Sequence, residues 1–439
     1  MGALLAAIFT LLGIYVGKKI FRMWMNHLTI YSVVMGGLVF FYELKWLPYP
    51  NISLLTWFFV IGTSFSFFLG IITIVNARSL NRCKNYERLD KSVNELPLFC
   101  DGGKTLRNAA IFFSLVGLFV ALQRWYVLIH KFGDIPSILL NASFVYKMHV
   151  HGEIKEYIPI LPSFVYVGVF LSAIYTAYKG KFSFLSVFPL LCIVLKELTY
   201  FGRGEMLFSI MEFFFTFFLM LNVLKHDPSQ KFHFSKGNAF IAITFLIVFV
   251  VIAATFVKVM RGGAKDSYRG VDETLKKLES SIVFSPSVYL YISSDVGVLN
   301  KYLELENEEA KFGENSLRII YYALSKFDLA DEPSFFQKGY HIPMWTNTGT
   351  MIRELHADYG IAGVFLVPYL LGIFITYLWY KFYKTKNIFM LTILVYLYVI
   401  VGFSFLTIVT RLNQWFLSQI LIFVTLPFLE MLAKRKANQ

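Results

Sequence analysis

The fold of this chain is decided by stretches such as residues 52–76, which read ISLLTWFFVIGTSFSFFLGIITIVN and contain no charged side chain. A helix needs about 20 apolar residues to cross the hydrocarbon core of a bilayer. Apolar side chains make up 57% of the 439 residues and charged ones 16%, whereas roughly a quarter are charged in ordinary soluble domains. We therefore predict an all-α polytopic membrane protein and exclude disordered, collagen-like and disulfide-scaffold classes.

Eleven apolar runs are close enough to this length to predict transmembrane helices. They lie at about residues 2–17, 28–47, 52–76, 108–129, 159–178, 183–200, 207–224, 239–260, 360–380, 388–409 and 412–432. The basic residues Lys18, Lys19 and Arg22 follow the first run and none precedes it. We therefore interpret this run as a retained span and not as a cleaved signal peptide.

The distribution of lysine and arginine predicts the orientation of the spans, since cytoplasmic loops carry an excess of both residues. With the N-terminus outside, the inner loops hold 21 basic and five acidic side chains. These loops are residues 18–27, 77–107, 179–182, 225–238, 381–387 and 432–439. We predict that the N-terminus lies outside the cell membrane and the C-terminus in the cytoplasm. The net charge of +13 follows from this bias, and we expect no nucleic-acid partner.

One connection differs from the others in length and polarity. Residues 261–356 hold 11 basic and 14 acidic side chains, and long translocated segments are largely exempt from the charge rule. Apolar periodicity predicts helices at 271–281 and 315–326. The predicted organisation is therefore residues 1–260 as eight spans, 261–356 as a helical outer cap, and 357–439 as three spans with a cytoplasmic end.

The first cluster of charges in this apolar chain closes the sixth predicted span. Lys196, Tyr200 and Arg203 are spaced so that a continuing helix would align them on one face, and Glu205 follows. The glycines on either side of Arg203 would let a ligand approach the backbone closely. The alternative is a pair of snorkelling cations with a local carboxylate partner.

Three further groups of charges lie near predicted span ends. Arg261 ends the eighth span, Arg353, His356 and Asp358 precede the ninth, and Arg411 lies between the last two. In the predicted topology all of them fall on the outer side, although each could serve a structural role at a span end. Several arginines at one lipid-accessible face suit a diphosphate-bearing lipid, because guanidinium pairs bidentately with phosphate oxygens.

Sequence signatures of nucleotide-driven and zinc enzymes are missing, since the chain has no GxxxxGK[ST], HExxH, GxSxG or CxxC motif. His149, His151 and Glu153 could bind a metal by composition, but a solvated loop is the better interpretation. We predict no metal site and no cofactor.

The order of these features resembles the bacterial Wzy-type polymerases of O-antigen or oligosaccharide repeat units. The residues that carry the resemblance are GRGE at 202–205, Arg261-Gly262 at the start of the large outer loop, and DYGIAG at 358–363. Residues 289–303 and 313–327 also look like the outer-loop helices of that family.

The resemblance implies a GT-C-like glycosyltransferase of lipopolysaccharide or related polysaccharide biosynthesis, acting on the outer face of the inner membrane. Its substrates would be undecaprenyl-diphosphate-linked glycans, and a chain-length regulator membrane protein would be a partner. Arginines and Lys196 would bind the diphosphate; the arginines are Arg203, Arg261, Arg353 and Arg411. The base would be His356, Asp358 or Glu205. The alternatives are an O-antigen ligase and a lipid-linked oligosaccharide flippase or other transporter.

Overall fold

The computed structural model describes residues 2–77, 96–150, 160–225, 286–305, 311–334, 337–343 and 345–438, together with residues 153, 158 and 244. This part of the chain is almost entirely helical. Its helices are α1 Gly2–Phe21, α2 His27–Glu43, α3 Leu54–Asn76, α4 Lys104–Phe132, α5 Ile135–Leu140, α6 Ala142–Val150, α7 Phe164–Lys179, α8 Phe184–Leu198, α9 Gly204–Lys225, α10 Pro286–Leu305, α11 Arg318–Ser325, α12 Met351–Thr385, α13 Ile388–Phe403 and α14 Asn413–Ala437. A two-stranded antiparallel hairpin joins β1 Tyr340–His341 to β2 Trp345–Thr346.

The prediction of an all-α polytopic membrane protein is confirmed. Within the described residues, seven helices are long and apolar enough to cross a membrane, and α2 and α13 are shorter apolar helices. The seven are Gly2–Phe21, Leu54–Asn76, Lys104–Phe132, Leu161–Lys179, Gly204–Lys225, Met351–Thr385 and Asn413–Ala437. Ten of the predicted runs coincide with helices. The run at 239–260 lies, apart from residue 244, outside the described residues, so the count of eleven stays a prediction.

The chain forms two compact units, each discontinuous in sequence. Unit 1 consists of Met1–Tyr86, Tyr268–Lys384 and Tyr396–Phe416, and unit 2 of Glu87–Ser267, Thr385–Val395 and Leu417–Gln439. The division predicted from sequence, at residues 260 and 356, separates membrane spans from an outer cap and does not separate compact units. It stays a prediction.

Local sequence sets several helix ends in unit 1. The side chains of Asn26 and Ser53 cap α2 and α3 by accepting hydrogen bonds from backbone N–H groups three residues ahead, at 2.9 and 3.2 Å. Within α12, Gly360 has φ 63° and ψ −156°, which interrupts the helical geometry. Glycine tolerates this conformation because it lacks a Cβ. The break separates a short polar N-terminal part of α12 from the apolar run predicted at 360–380.

The described part of the predicted outer cap belongs to unit 1. Helix α10 packs on the turn between α2 and α3, where Tyr49 is hydrogen-bonded to Ser293 at 2.7 Å and the Ser53 backbone N–H donates to Asn300 Oδ1 at 2.7 Å. The predicted helix at 271–281 lies outside the described residues. The one predicted at 315–326 begins at Arg318, and the backbone N–H groups of Asn315 and Ser316 before it donate hydrogen bonds to the carboxylate of Asp358 on α12.

Candidate functional site

In unit 2, two of the predicted site residues form a buried ion pair. Lys196, near the end of α8, has 1% of its surface exposed, and its Nζ contacts the Oε2 atom of Glu205 in the first turn of α9. The same ammonium group lies 5.1 Å from the centroid of the Tyr166 ring on α7. A buried charge is strongly unfavourable unless it is paired, so this pair holds the α8–α9 turn together.

The turn between α8 and α9 differs from the predicted continuous helix. Helix α8 ends at Leu198, and Phe201 has a positive φ of 52°. The prediction that Lys196, Tyr200 and Arg203 share one helical face is therefore wrong, because the chain reverses between them. Arg203 is half-buried just before α9.

Gly202 provides space for a protein group in this structure. A Cβ on Gly202 would come within 2.6 Å of Glu197 Oε2. The Gly202 backbone N–H donates to the Glu197 carbonyl oxygen at 3.2 Å, and the Glu205 backbone N–H donates to Glu197 Oε2 at 3.4 Å. The close approach that the sequence suggested for a ligand is thus made by the buried carboxylate of Glu197.

A second cation completes the polar cluster of unit 2. Arg124 on α4 is 3% exposed, and its guanidinium carbon lies 4.2 Å from the centroid of the Tyr200 ring. The His149 ring also stacks on Tyr200, with centroids 3.5 Å apart. Burial, together with the nearby charge of Arg124, lowers the pKa of His149 to about 4. His149 is therefore neutral at pH 7 and packs as an aromatic ring.

In unit 1, Glu354 and Arg411 form a second buried ion pair. They are 2% and 5% exposed, and Glu354 Oε1 lies 3.4 Å from Arg411 Nη1. Glu354 also accepts hydrogen bonds from the Thr407 hydroxyl at 3.0 Å, the Ile408 backbone N–H and the Gln337 side chain. This network fixes the first turn of α12 against the segment that follows α13.

Two guanidinium groups converge on one carbonyl oxygen beside this pair. Arg318 Nε and Arg411 Nη2 both donate to the Ser334 carbonyl oxygen, each at 3.1 Å. Arg318 is 5% exposed and also donates to the Pro333 carbonyl oxygen at 3.3 Å. Burial and the charge of Arg411 lower the pKa of Arg318. Two positive charges are thus fixed close together at this end of α12.

Asp358 connects α12 to the segment before α11. Its carboxylate accepts four hydrogen bonds, from the backbone N–H and side-chain groups of Asn315 and Ser316, at 2.6 to 2.9 Å. Asn315 in turn accepts a hydrogen bond from Arg411. Asp358 therefore positions the cationic pair, and its oxygens are committed to that loop.

Arg353 lies deep in the same unit, with 1% of its surface exposed. It donates to the Lys338 carbonyl oxygen at 2.6 Å and to Gln337 Oε1 at 3.3 Å, and its guanidinium carbon is 5.2 Å from the Tyr340 ring centroid. These contacts dock the hairpin segment onto α12.

His356 is oriented by α10 and α3. Its Nδ1 is hydrogen-bonded to the Tyr302 hydroxyl at 2.8 Å, and the Phe59 ring packs against it with centroids 5.4 Å apart. Such a contact holds one tautomer and ring orientation of a histidine, as a proton-transferring residue requires.

Asp295 on α10 was missed by sequence reasoning. It is fully buried, and its Oδ1 accepts a hydrogen bond from the Thr348 hydroxyl at 2.7 Å. Its Oδ2 has no hydrogen-bond partner among the described residues. Burial raises the pKa of Asp295 to about 8, against a smaller opposing effect of Arg353. The sequence did not indicate this burial, because Asp295 is a single aspartate within a segment that is mostly polar.

The predicted site residues thus fall into two groups, each described within its own unit. Lys196, Arg203 and Glu205 belong to unit 2, whereas Arg353, His356, Asp358 and Arg411 belong to unit 1, and Arg261 lies outside the described residues. The residues missed by sequence reasoning are Arg124, Asp295, Asn315, Arg318 and Glu354. A charge inside an apolar run could have indicated Arg124, and adjacency to Arg353 could have indicated Glu354.

Within the described part of the chain, no group of three or more histidine, cysteine, aspartate or glutamate side chains is placed to hold a metal ion. Comparison with known proteins adds no relatives: no protein-family model, no curated protein and no solved structure matches this chain.

Proposed function

We propose that this membrane protein is a glycosyltransferase that polymerises undecaprenyl-diphosphate-linked oligosaccharide repeat units on the outer face of the bacterial inner membrane. The observation that carries the proposal is the pair of buried guanidinium groups of Arg318 and Arg411, which meet at the Ser334 carbonyl oxygen. Two guanidinium groups fixed side by side suit a ligand with at least two negative charges, because their positive charges act on the same point.

The proposed reaction needs this positive charge at the leaving group. The acceptor hydroxyl oxygen attacks the anomeric carbon of the donor glycan, and the bond from that carbon to the diphosphate oxygen breaks. The diphosphate departs with the electron pair and gains negative charge. Preorganised donors at such a position are each worth about 3–4 kcal/mol of barrier. Arg411 is held in place by Glu354 and Asn315 before any substrate arrives.

His356 is the best candidate to take the proton of the acceptor hydroxyl. Asp358 is a weaker candidate, because four hydrogen bonds from Asn315 and Ser316 occupy its carboxylate. Glu205 pairs with Lys196. The Tyr302 hydroxyl bonds to Nδ1 of His356, so it would favour one tautomer and stabilise the imidazolium that forms.

The test is a reconstituted assay with purified protein in liposomes that contain lipid-linked repeat units and EDTA. The wild type should produce a ladder of glycan lengths without added divalent metal. Arg318→Ala and Arg411→Ala should each slow ladder formation about 100-fold or more, as loss of a preorganised donor does. Arg318→Lys should recover part of the rate, because an ammonium keeps the charge but cannot make both hydrogen bonds of the guanidinium group, to Ser334 and Pro333.

Matched controls are Arg107→Ala and Arg435→Ala, since both arginines are exposed and should leave the ladder unchanged.

Arg203→Ala in the same assay tests the second group of predicted residues, and we expect it to abolish the ladder while membrane insertion stays near normal. A wild-type rate in Arg318→Ala would contradict the proposal. Transfer of a single preformed glycan to another acceptor would indicate a ligase, and movement of the intact lipid across the bilayer without a new bond would indicate a flippase.

A further inference from the structure

Helix α11 has two chemically opposite faces. Arg318 is 5% exposed on the side that meets Arg411, whereas Leu317, Ile320 and Leu324 are 42%, 50% and 36% exposed. Phe327, three residues beyond Leu324, is 75% exposed. Ile320 and Leu324 are four residues apart and lie on one stripe of the helix, and Leu317 and Phe327 flank that stripe at the N-cap and just beyond the C-cap. An outer-loop helix thus shows apolar side chains on the side away from its own unit.

The exposed stripe continues into the chain on both sides of the helix. Phe312 and Leu329 are 75% and 72% exposed. We define the apolar strip of α11 as these six residues, namely Phe312, Leu317, Ile320, Leu324, Phe327 and Leu329. A strip of this size exposed to water would be unusual, since large exposed apolar patches mark protein or membrane contacts.

The strip is attached to the point where α12 enters its predicted membrane span. Asn315 and Ser316 bond to Asp358, and the Phe312 ring packs edge-on against Tyr359 with centroids 5.0 Å apart. Gly313 has φ 73°, and a Cβ there would meet the Tyr359 hydroxyl at 3.1 Å. This close approach keeps the start of the strip against α12.

The surface of α12 directly after this attachment is suited to lipid. Beyond the break at Gly360, Ile361 and Leu366 are 60% and 54% exposed on a helix apolar enough to cross a membrane. The apolar strip therefore borders the exposed apolar start of a helix that is long enough to cross a membrane. Lys311 and Lys326, each with 54% of its side chain exposed, lie beside the strip and pair with Asp331 and Glu332, so these four residues form its polar border.

We propose that α11 is an interfacial helix that lies in the outer membrane surface with its apolar strip in contact with lipid acyl chains. Amphipathic interfacial helices bury their apolar face about 5–10 Å into the headgroup and acyl boundary. The opposite face then holds Arg318 at the depth of lipid phosphates. The contact between α11 and lipid does not depend on the proposed function. Its role in the reaction rests on that function: the strip would receive the polyprenyl chain of the substrate while Arg318 and Arg411 bind the attached diphosphate.

The experiment measures lipid contact directly, without an activity readout. Single cysteines are introduced as Ile320→Cys, Leu366→Cys and Glu332→Cys, in full-length protein whose native Cys83, Cys100 and Cys192 are replaced by alanine. Each is labelled with bimane and reconstituted in phosphatidylcholine vesicles with or without brominated acyl chains. Leu366 is the positive control on the membrane helix, and Glu332, with 63% of its side chain exposed, is the aqueous control in the same loop.

The label at position 320 should be quenched by brominated lipid within about twofold of the label at position 366, and about fivefold more than the label at position 332, as expected for a face buried at the acyl boundary. Aqueous iodide should give the reverse order. A repeat with Leu324→Cys guards against a local effect of one label.

Quenching of positions 320 and 324 by iodide and not by brominated lipid would overturn the proposal. Protection from both quenchers would also overturn it, because it would mean that protein covers the strip. The quenching experiment contains no glycan substrate. If lipid quenches these labels while the same protein forms no glycan ladder in the polymerisation assay, the proposed function is refuted and the interfacial helix is still supported.

Discussion

The buried charges of the two units are balanced in different ways. In unit 2, Lys196 contacts Glu205, and Arg124 lies over the Tyr200 ring, so the protein itself supplies a counter-charge or an aromatic face. In unit 1, Arg318 and Arg411 converge on a carbonyl oxygen. Glu354 supplies the counter-charge of Arg411 in this cluster. The comparison teaches that unit 2 places its two buried cations on different partners, a carboxylate and an aromatic ring, whereas unit 1 brings two cations together at one oxygen beside a single ion pair.

The largest expected effect comes from breaking the pair in unit 2. Glu205→Gln should lower the free energy of unfolding by about 3–5 kcal/mol, the usual effect of leaving a buried charge unpaired, and Lys196→Met should lower it by less, because the side chain of Glu205 is 18% exposed. The double variant should regain most of this loss, because it leaves no unpaired buried charge. Denaturant unfolding in detergent micelles measures all three. Additive losses in the double variant would mean that the pair is not the element that stabilises this turn.

The same cycle in unit 1 sharpens the contrast. Glu354→Gln and Arg411→Met should again be destabilising singly, but the double variant should recover little. Glu354 also accepts hydrogen bonds from Thr407 and Ile408, and Arg411 also binds Asn315. Full recovery in this double variant would show that the two ion pairs stabilise their units in the same way.

Ten apolar runs predicted where helices lie, because the length and polarity of each run are local properties. The break at Gly360 was not predictable from hydropathy, since the run continues across it. The predicted alignment of Lys196, Tyr200 and Arg203 failed because Phe201 adopts a positive φ. Residues other than glycine rarely do so, and a phenylalanine in the sequence gives no sign of it.

The site was predicted in part for a similar reason. His356, Asp358 and Arg411 are ionisable residues beside apolar runs, so the sequence alone was enough to choose them as candidate site residues. Their partners could not be, because Arg318 and Arg411 meet only through the folded loop that carries Ser334. Contacts between residues so far apart depend on tertiary structure, which a single sequence does not encode in any local pattern.

Asp295 makes unit 1 sensitive to alkaline pH. Burial raises its pKa to about 8 from the usual 3.8, so the folded state holds this proton more tightly than the unfolded state. The associated stability is fully present below pH 4 and is lost as the pH rises toward 8. Between pH 5 and pH 7 the wild type should lose about 3 kcal/mol relative to Asp295→Asn.

Unfolding of both proteins in detergent micelles across this range measures the difference. Asp328→Asn is the matched control, because Asp328 is exposed and should follow the wild-type curve. Parallel curves for the wild type and Asp295→Asn would show that Asp295 is ionised in the folded protein.

His149 gives unit 2 the opposite sensitivity, to acid. Burial and the charge of Arg124 lower its pKa to about 4 from 6.5, so the unfolded state binds the proton more tightly. The associated stability is present above pH 6.5 and is lost as the pH falls toward 4. Between pH 6 and pH 5 the free energy of unfolding of the wild type should fall by about 1 kcal/mol relative to that of His149→Phe, since phenylalanine preserves the stack on Tyr200 and does not titrate.

The exposed His130, changed to glutamine, is the control. An acid transition that is unchanged in His149→Phe would mean that His149 takes up its proton without leaving the stack, and that the polar cluster of unit 2 tolerates one more positive charge.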